Sequence, residues 1–294
     1  MKIPAKRLSN GFELPVYGLG LWQMGGRAEA DTSRDSLEVD AIQACIDAGI
    51  THFDTAESYA AGHAEELLGL AILDFNREDL CIASKVSPWN QGFDDLRRSF
   101  DASLKRLKLD YLDLYLLHRF PAIGVPLEET MRAMDNLVAA GLVKEIGACN
   151  LSTSRFDHLQ ALTSNKLVCN QVHYNVKVRE AERRGVLQHC QQQDILLVAW
   201  RPLQKGTLDA APILLELAAK YGKTPVQVAL NWLISQDHVV TIAKTSSLEH
   251  LKENLGSIDW SLSESDIERI RQEFPEQKSA SDAVPLDYAS AIDV

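Results

Sequence analysis

No stretch of this 294-residue chain approaches the ~20 consecutive apolar residues that a membrane-spanning helix needs, so no membrane partner is expected. There is no Cys-x-x-Cys pair and no cysteine–histidine grouping at zinc spacing, so no metal site is expected either. Cysteine is sparse: Cys45, Cys81, Cys149, Cys169 and Cys190 are odd in number and far apart, and four of them lie in apolar runs or on helix faces. That pattern argues for buried free thiols in a reducing compartment rather than a disulfide framework. Basic residues are in deficit, 30 Lys and Arg against 41 Asp and Glu, for a formal net charge of −11. A nucleic-acid partner would want a basic face, so none is expected, although a local basic pocket for a phosphate stays open. The opening Met1-Lys2-Ile3-Pro4-Ala5-Lys6-Arg7 lacks the apolar core of a secretory signal, and the protein is expected to be cytoplasmic. A glycine is missing as well. Gly18-Leu19-Gly20 begins a dinucleotide fingerprint, but Gln23 stands at its third glycine and no acidic residue closes a following strand, which argues against a doubly wound sheet. No linker, low-complexity stretch or charge block divides the chain, so a single domain over residues 1–294 is expected, with a monomer the favoured assembly.

What the chain does contain is alternation. At 46% hydrophobic and 24% charged it can bury a substantial core. Strand-like runs at 16–21, 51–54, 80–85, 111–118, 143–148, 167–171, 195–200 and 239–243 are each followed by a helix-like segment. In the helix at 93–107, for example, Leu96, Phe100, Leu104 and Leu107 recur every three or four positions. The run at 111–118 is too apolar for a half-exposed strand and reads as buried on both faces. Gly141 reads as a left-handed cap and Ser152 as an N-cap. Eight β/α units in under 250 residues point to a (β/α)8 TIM barrel. Two helices, 224–235 and 263–274, fall outside the count, and 8–14, centred on Asn10-Gly11, reads as an N-terminal β-hairpin plugging the barrel. The polar tail from 275 to 294 is left either mobile or draped over the mouth.

Seven of the apolar runs stop at Asp54, Lys85, His118, Asn150, Gln171, Trp200 and Lys244. A parallel barrel gathers such strand ends on one face, where chemistry can converge from distant positions. Asp54, Lys85 and His118 fall on adjacent strands, and Tyr59 follows Asp54 by five residues. Each of these alone reads as part of a structural ion pair beside a core histidine; four together favour catalysis. A phenol with a pKa of ~10 is a poor acid at neutral pH. A neighbouring ammonium favours the phenolate and is expected to lower that pKa, making Tyr59 a better proton donor. His118 would orient a carbonyl oxygen toward the phenol. No side chain here is a hydride source, so a nicotinamide cofactor is implied.

The chain resembles the aldo-keto reductases over nearly its whole length. The matching stretches are Gly18-Leu19-Gly20-Leu21-Trp22, Gly49 through Ala56 with Tyr59, Ala83-Ser84-Lys85-Val86, Leu116-Leu117-His118-Arg119, Ile146 through Asn150, Asn170-Gln171-Val172, Ala199-Trp200-Arg201-Pro202-Leu203, and Ala243-Lys244-Thr245 with Glu253-Asn254. The resemblance implies reduction of aldehydes or ketones to alcohols with NADPH, through a tetrad of Tyr59 as acid, Lys85 and Asp54 as its tuning pair, and His118 as orienter. It implies that Asn150 and Gln171 hold the nicotinamide carboxamide, that Trp200 stacks on the ring, and that Gly20, Leu21 and Trp22 touch the cofactor. Arg201 and Leu203 fall in its cofactor-binding stretch, Lys244, Thr245 and His250 around the 2′-phosphate, and Glu253 and Asn254 near the adenine.

The departures are specific. His250 stands where many NADPH-dependent relatives carry Arg, Cys149 replaces a Ser before Asn150, and Arg201 replaces a Ser after the stacking aromatic. The segment between Leu203 and Ile213 is too short for the long loop that clasps the cofactor in some relatives. NADPH is favoured, with NADH allowed. The partner is a small carbonyl compound. Trp22, Trp89 and Phe120 are expected to line its pocket, the tail around 284–288 to close it, and Arg119 either to meet an acidic substrate or to be solvated. Two other readings are a nicotinamide-binding regulatory subunit of the same fold and a Schiff-base aldolase using Lys85.

Overall fold

The structure, a computed structural model, describes residues 2–287 apart from 123, 209, 246 and the side chain of 205. Strands β1 (Ala5–Arg7) and β2 (Glu13–Pro15) pair antiparallel, with Lys6 opposite Leu14. Their turn is built from the expected residues: Gly11 takes φ +94°, a value open to a residue without Cβ, and Asn10 accepts the amide of Phe12.

Eight parallel strands follow: β3 (Tyr17–Gly20), β4 (His52–Asp54), β5 (Cys81–Val86), β6 (Leu112–Leu117), β7 (Val143–Cys149), β8 (Leu167–His173), β9 (Leu196–Trp200) and β10 (Val239–Ala243). They pair in chain order, and β10 returns to β3 with Ile242 opposite Gly18, closing the barrel. All six residues of β6 are buried. Around the strands lie α1 (Asp35–Asp47), α2 (His63–Ala71), α3 (Phe93–Leu107), α4 (Leu127–Ala139), α5 (Thr153–Gln160), α6 (Glu180–Arg183), α7 (Val186–Gln192), α8 (Pro212–Tyr221), α9 (Pro225–Ile234), α10 (Leu248–Leu255) and α11 (Glu264–Glu273). The supernumerary helices are α9 and α11, while the single turn α6 is too short to carry a periodic signal.

Local chemistry starts and stops these elements. Thr224 and Gln227 form a reciprocal capping box with Pro225 at the first position of α9. Gly141 ends the α4 region at φ +70°. Ser152 sits at the cap position of α5 without making the side-chain bond; its amide instead donates to Asp287 Oδ1 at 2.8 Å.

The core has two parts. One lies between strands and helices; the other fills the barrel with residues such as Leu114, Leu116, Val168, Val198 and Ile242. Leu8, Leu14 and Phe12 of the hairpin pack into the inner part, so the barrel floor is plugged. At the opposite end the described tail is draped, not detached. Lys278 pairs with the segment after β8, through Arg179 N to Lys278 O at 2.9 Å and Lys278 N to Lys177 O at 2.8 Å, and Asp287 N donates to Asn150 O at 2.9 Å. Of the expected closing segment 284–288, only Tyr288 lies outside the described residues.

Candidate active site

Four strand-end side chains of the sequence pattern meet at the carboxyl mouth. Lys85, on β5, is fully buried, with its Nζ 2.5 Å from Asp54 Oδ1, 2.8 Å from Thr55 O and 3.1 Å from the Tyr59 hydroxyl. Asp54, on β4, takes a second hydrogen bond at its Oδ2 from Gln171 Nε2 at 2.7 Å, across the barrel from β8. His118 follows β6, and its ring stands edge-on to Tyr59 with centroids 5.7 Å apart.

Burial dominates the electrostatics. It pushes the Tyr59 phenol up to about 12, and the Lys85 ammonium pulls in the opposite direction without reversing the shift. The expectation of an acidified phenol therefore does not hold for the protein alone: Tyr59 keeps its proton at neutral pH, and the ammonium reduces the cost of giving it up. Burial also lowers Lys85, but Asp54 and then Tyr59 outweigh it and hold the amine charged. His118 is held well below the usual histidine value by burial, then Lys85, then Arg119, and is neutral. Ser58 Oγ lies 3.4 Å from His118 Nδ1.

The mouth opens into a cleft of about 690 Å³ that runs from Asp54, Tyr59 and His118 past Asn150, Gln171 and Trp200 to Lys244, Thr245, His250, Glu253 and Asn254. Gly20, Trp22, Arg201 and Leu203 also line it. Trp200 Nε1 donates to Asn150 Oδ1 at 3.0 Å, and Asn150 Nδ2 to His118 O at 3.3 Å. Lys244 Nζ, exposed on the rim, donates to Gln23 O at 2.7 Å. Three of the cleft's lining residues are non-glycine residues with positive φ, Gln23, Asn150 and Arg201, each within three positions of the end of a barrel strand. Such backbone costs ~1–3 kcal/mol per residue and gathers where geometry matters more than stability.

Three expected residues stand elsewhere. Leu21 is fully buried in the core between strands and helices, and its amide donates to Asp54 O at 2.9 Å. Trp89 is half exposed on a single helical turn (Pro88–Asn90) outside the cleft lining. Phe120 is likewise absent from the lining, its ring covered by the Arg155 guanidinium at 4.4 Å. Cys149 points into the barrel interior. The cleft also includes Arg27, Ser58 and Val226, which sequence reading did not single out. Ser58 carried the one usable signal, adjacency to Tyr59. Among the described residues, no group of three or more His, Cys, Asp or Glu side chains is placed to hold a metal ion.

The aldo/keto reductase family model matches residues 17–273. The chain is 36% identical to methylglyoxal reductase YeaE of Escherichia coli over 279 residues, covering 92% of this chain and 95% of the relative. It is 34% identical to glyoxal reductase of Bacillus subtilis, covering 90% of each. Among solved structures it is similar to the thermostable aldo-keto reductase Tm1743, with a TM-score of 0.89 and 42% identity over 92% of this chain and 99% of the other. It is also similar to a Klebsiella pneumoniae aldo-keto reductase in complex with NADPH, with a TM-score of 0.86 and 34% identity over 98% and 100%. A closed barrel, a buried carboxylate–ammonium–phenol cluster at its mouth and a family match over most of the sequence agree, and this chain belongs to the aldo/keto reductase family.

Proposed function

We propose that the chain reduces aldehydes or ketones to alcohols with NADPH, with Tyr59 as the proton donor. The observation that carries this reading is the Tyr59 hydroxyl 3.1 Å from a charged Lys85 that is itself paired with Asp54. Lys85 is fixed by three acceptors, so it offsets the charge that develops on the phenol oxygen without having to reorganise. A neutral His118 hydrogen-bonds the carbonyl oxygen through Nε2 and orients it toward Tyr59. NADPH, when bound, supplies the hydride.

The cleft suits that cofactor. Its volume of about 690 Å³ lies within the usual range of ligand sites, roughly 300–1,000 Å³. With Nε2 bonded to Asp54, Gln171 has Oε1 left as an acceptor for a carboxamide, and Asn150 stands beside it. At the far end Lys244 and Thr245 precede α10, whose first turn is capped by Ser247; an ammonium beside a helix N-terminus suits the 2′-phosphate. The methylglyoxal and glyoxal reductases among the relatives make small dicarbonyl compounds the first substrates to test.

A Schiff-base role for Lys85 finds no support, since an amine held charged by an ion pair is not a nucleophile. In Tyr59→Phe, NADPH affinity measured by titration should stay near that of the unsubstituted protein. Reduction of a carbonyl panel, followed by NADPH oxidation, should fall by about 10²–10⁴-fold. Turnover close to that of the unsubstituted protein would remove the phenol from the mechanism.

A further inference from the structure

Histidine 173 has no part in the chemistry above, yet it is almost fully buried at the carboxyl end of β8 and lies flat against Trp200, centroids 4.3 Å apart and planes within 15°. It covers one face of an indole that lines the cleft, and the Arg201 guanidinium also lies over that indole, 5.5 Å from its centroid. Both ring nitrogens are engaged, and Nε2 meets two side chains, Gln204 Oε1 at 3.1 Å and Asn175 Nδ2 at 3.3 Å. Gln204 Nε2 donates to the Asp282 carboxylate at 2.9 Å, so Gln204 Oε1 is the atom facing His173 Nε2. On the other side Ser281 Oγ lies 2.7 Å from Nδ1. That oxygen already accepts the amides of Ala283 and Val284, which leaves its own hydrogen to donate to Nδ1. Burial holds the pKa of the ring down to about 4, so the imidazole is neutral. Ser281 is anchored in turn by its amide to Glu180 Oε2 at 2.8 Å. The indole is fixed on its edge by the bond from Nε1 to Asn150 Oδ1.

We propose that His173, held by Ser281 of the carboxyl-terminal tail, is a positioning residue that sets the plane of Trp200 as the platform for the nicotinamide ring. This rests on the reading of the cleft as a nicotinamide site. The tail therefore reaches the cofactor site twice: through Ser281 and His173 to the indole, and through Asp287, whose amide donates to Asn150 O. An aromatic contact of this kind is worth roughly two- to tenfold in affinity.

Direct calorimetric titration with NADPH and with 2′-phospho-ADP-ribose, which has the same phosphates and adenine but no nicotinamide, tests the proposal. His173→Ala should weaken NADPH roughly two- to tenfold and leave 2′-phospho-ADP-ribose unchanged. His173→Phe, which keeps a flat ring over the indole, should restore most of the NADPH affinity. Ser281→Ala should show a smaller loss with the same ligand selectivity. Equal weakening of both ligands, unaltered NADPH binding in His173→Ala, or His173→Phe as weak as His173→Ala would each overturn the role of the ring. Unaltered binding in Ser281→Ala would overturn that of the tail. Failure of the unsubstituted protein to bind NADPH at all would sink the cofactor reading itself, a different result from intact binding without selective loss.

Discussion

Lys85 carries a full charge where no water reaches it, and three oxygens make that tolerable: a carboxylate at 2.5 Å, a backbone carbonyl at 2.8 Å and a phenol at 3.1 Å. Removing one member of a buried pair leaves the other charge uncompensated, at a cost of ~3–5 kcal/mol. Asp54→Asn preserves shape and the contact with Gln171 but deletes the charge. It should lose about that much stability in urea unfolding, seen as a lower midpoint at unchanged m, and should reduce carbonyl turnover as well. A stability loss below 1 kcal/mol would mean that Lys85 sheds its proton or finds another partner. The pair was legible in the sequence because both residues interrupt apolar runs at strand ends, where a charge has no ordinary reason to be. Leu21 shows the limit of that reasoning: its place in the Gly18–Trp22 motif gives no sign that its side chain turns into the core. Arg27 and Val226 enter the cleft from segments with no chemical signature at all.

Elements meet the site through their junctions, and the loop after β3 that carries Trp22 illustrates one. It rests on His63, the first residue of α2: a Cβ added at Gly25, which has φ +71°, would lie 2.8 Å from the His63 ring. The same imidazole bridges α1 and α2, with Nε2 2.9 Å from Asp35 and Nδ1 2.7 Å from Glu66. Burial alone would lower its pKa, but hydrogen bonds to Glu66 and Asp35 outweigh burial and raise it. A folded pKa above the unfolded value of ~6.5 stabilises the protein fully below that pH and progressively less as pH rises through the folded pKa. His63→Gln should therefore lower the melting temperature most near pH 6, and the deficit should shrink toward pH 9. A constant deficit would show that packing against Gly25, not charge, is what His63 supplies. Because both carboxylates are partly solvated, added salt should narrow the difference at pH 6. Sequence alternation placed a helix after each of β3 and β4 but could not show that one histidine joins them.

The whole molecule depends on a barrel that is filled and stoppered at one end and open at the other. Leu14 of the hairpin is fully buried against the interior layer of Leu114, Val168 and Val198. Leu14→Ala would leave a hole at the floor, and unfolding experiments should show a loss of ~2–5 kcal/mol. NADPH affinity should change little, since the cleft lies at the opposite end. A matching loss of cofactor binding would indicate that floor and mouth are coupled through the interior. The hairpin was readable from Asn10-Gly11, and its place ahead of the first barrel strand puts it at the amino-terminal end, where Leu8, Phe12 and Leu14 pack into the interior.

Strand number, strand order and the identity of the charged cluster were set by the sequence alone, because a buried parallel strand must be apolar throughout and any exception at its end is conspicuous. Tertiary structure decided what depends on distance in space. Burial leaves the Tyr59 phenol near 12 despite its ammonium neighbour, Trp89 and Phe120 fall outside the cleft, and a tail residue more than a hundred positions away fixes the ring under Trp200. Desolvation and side-chain contact act between neighbours in three dimensions, and no one-dimensional pattern records how far a group lies from water or which ring covers another.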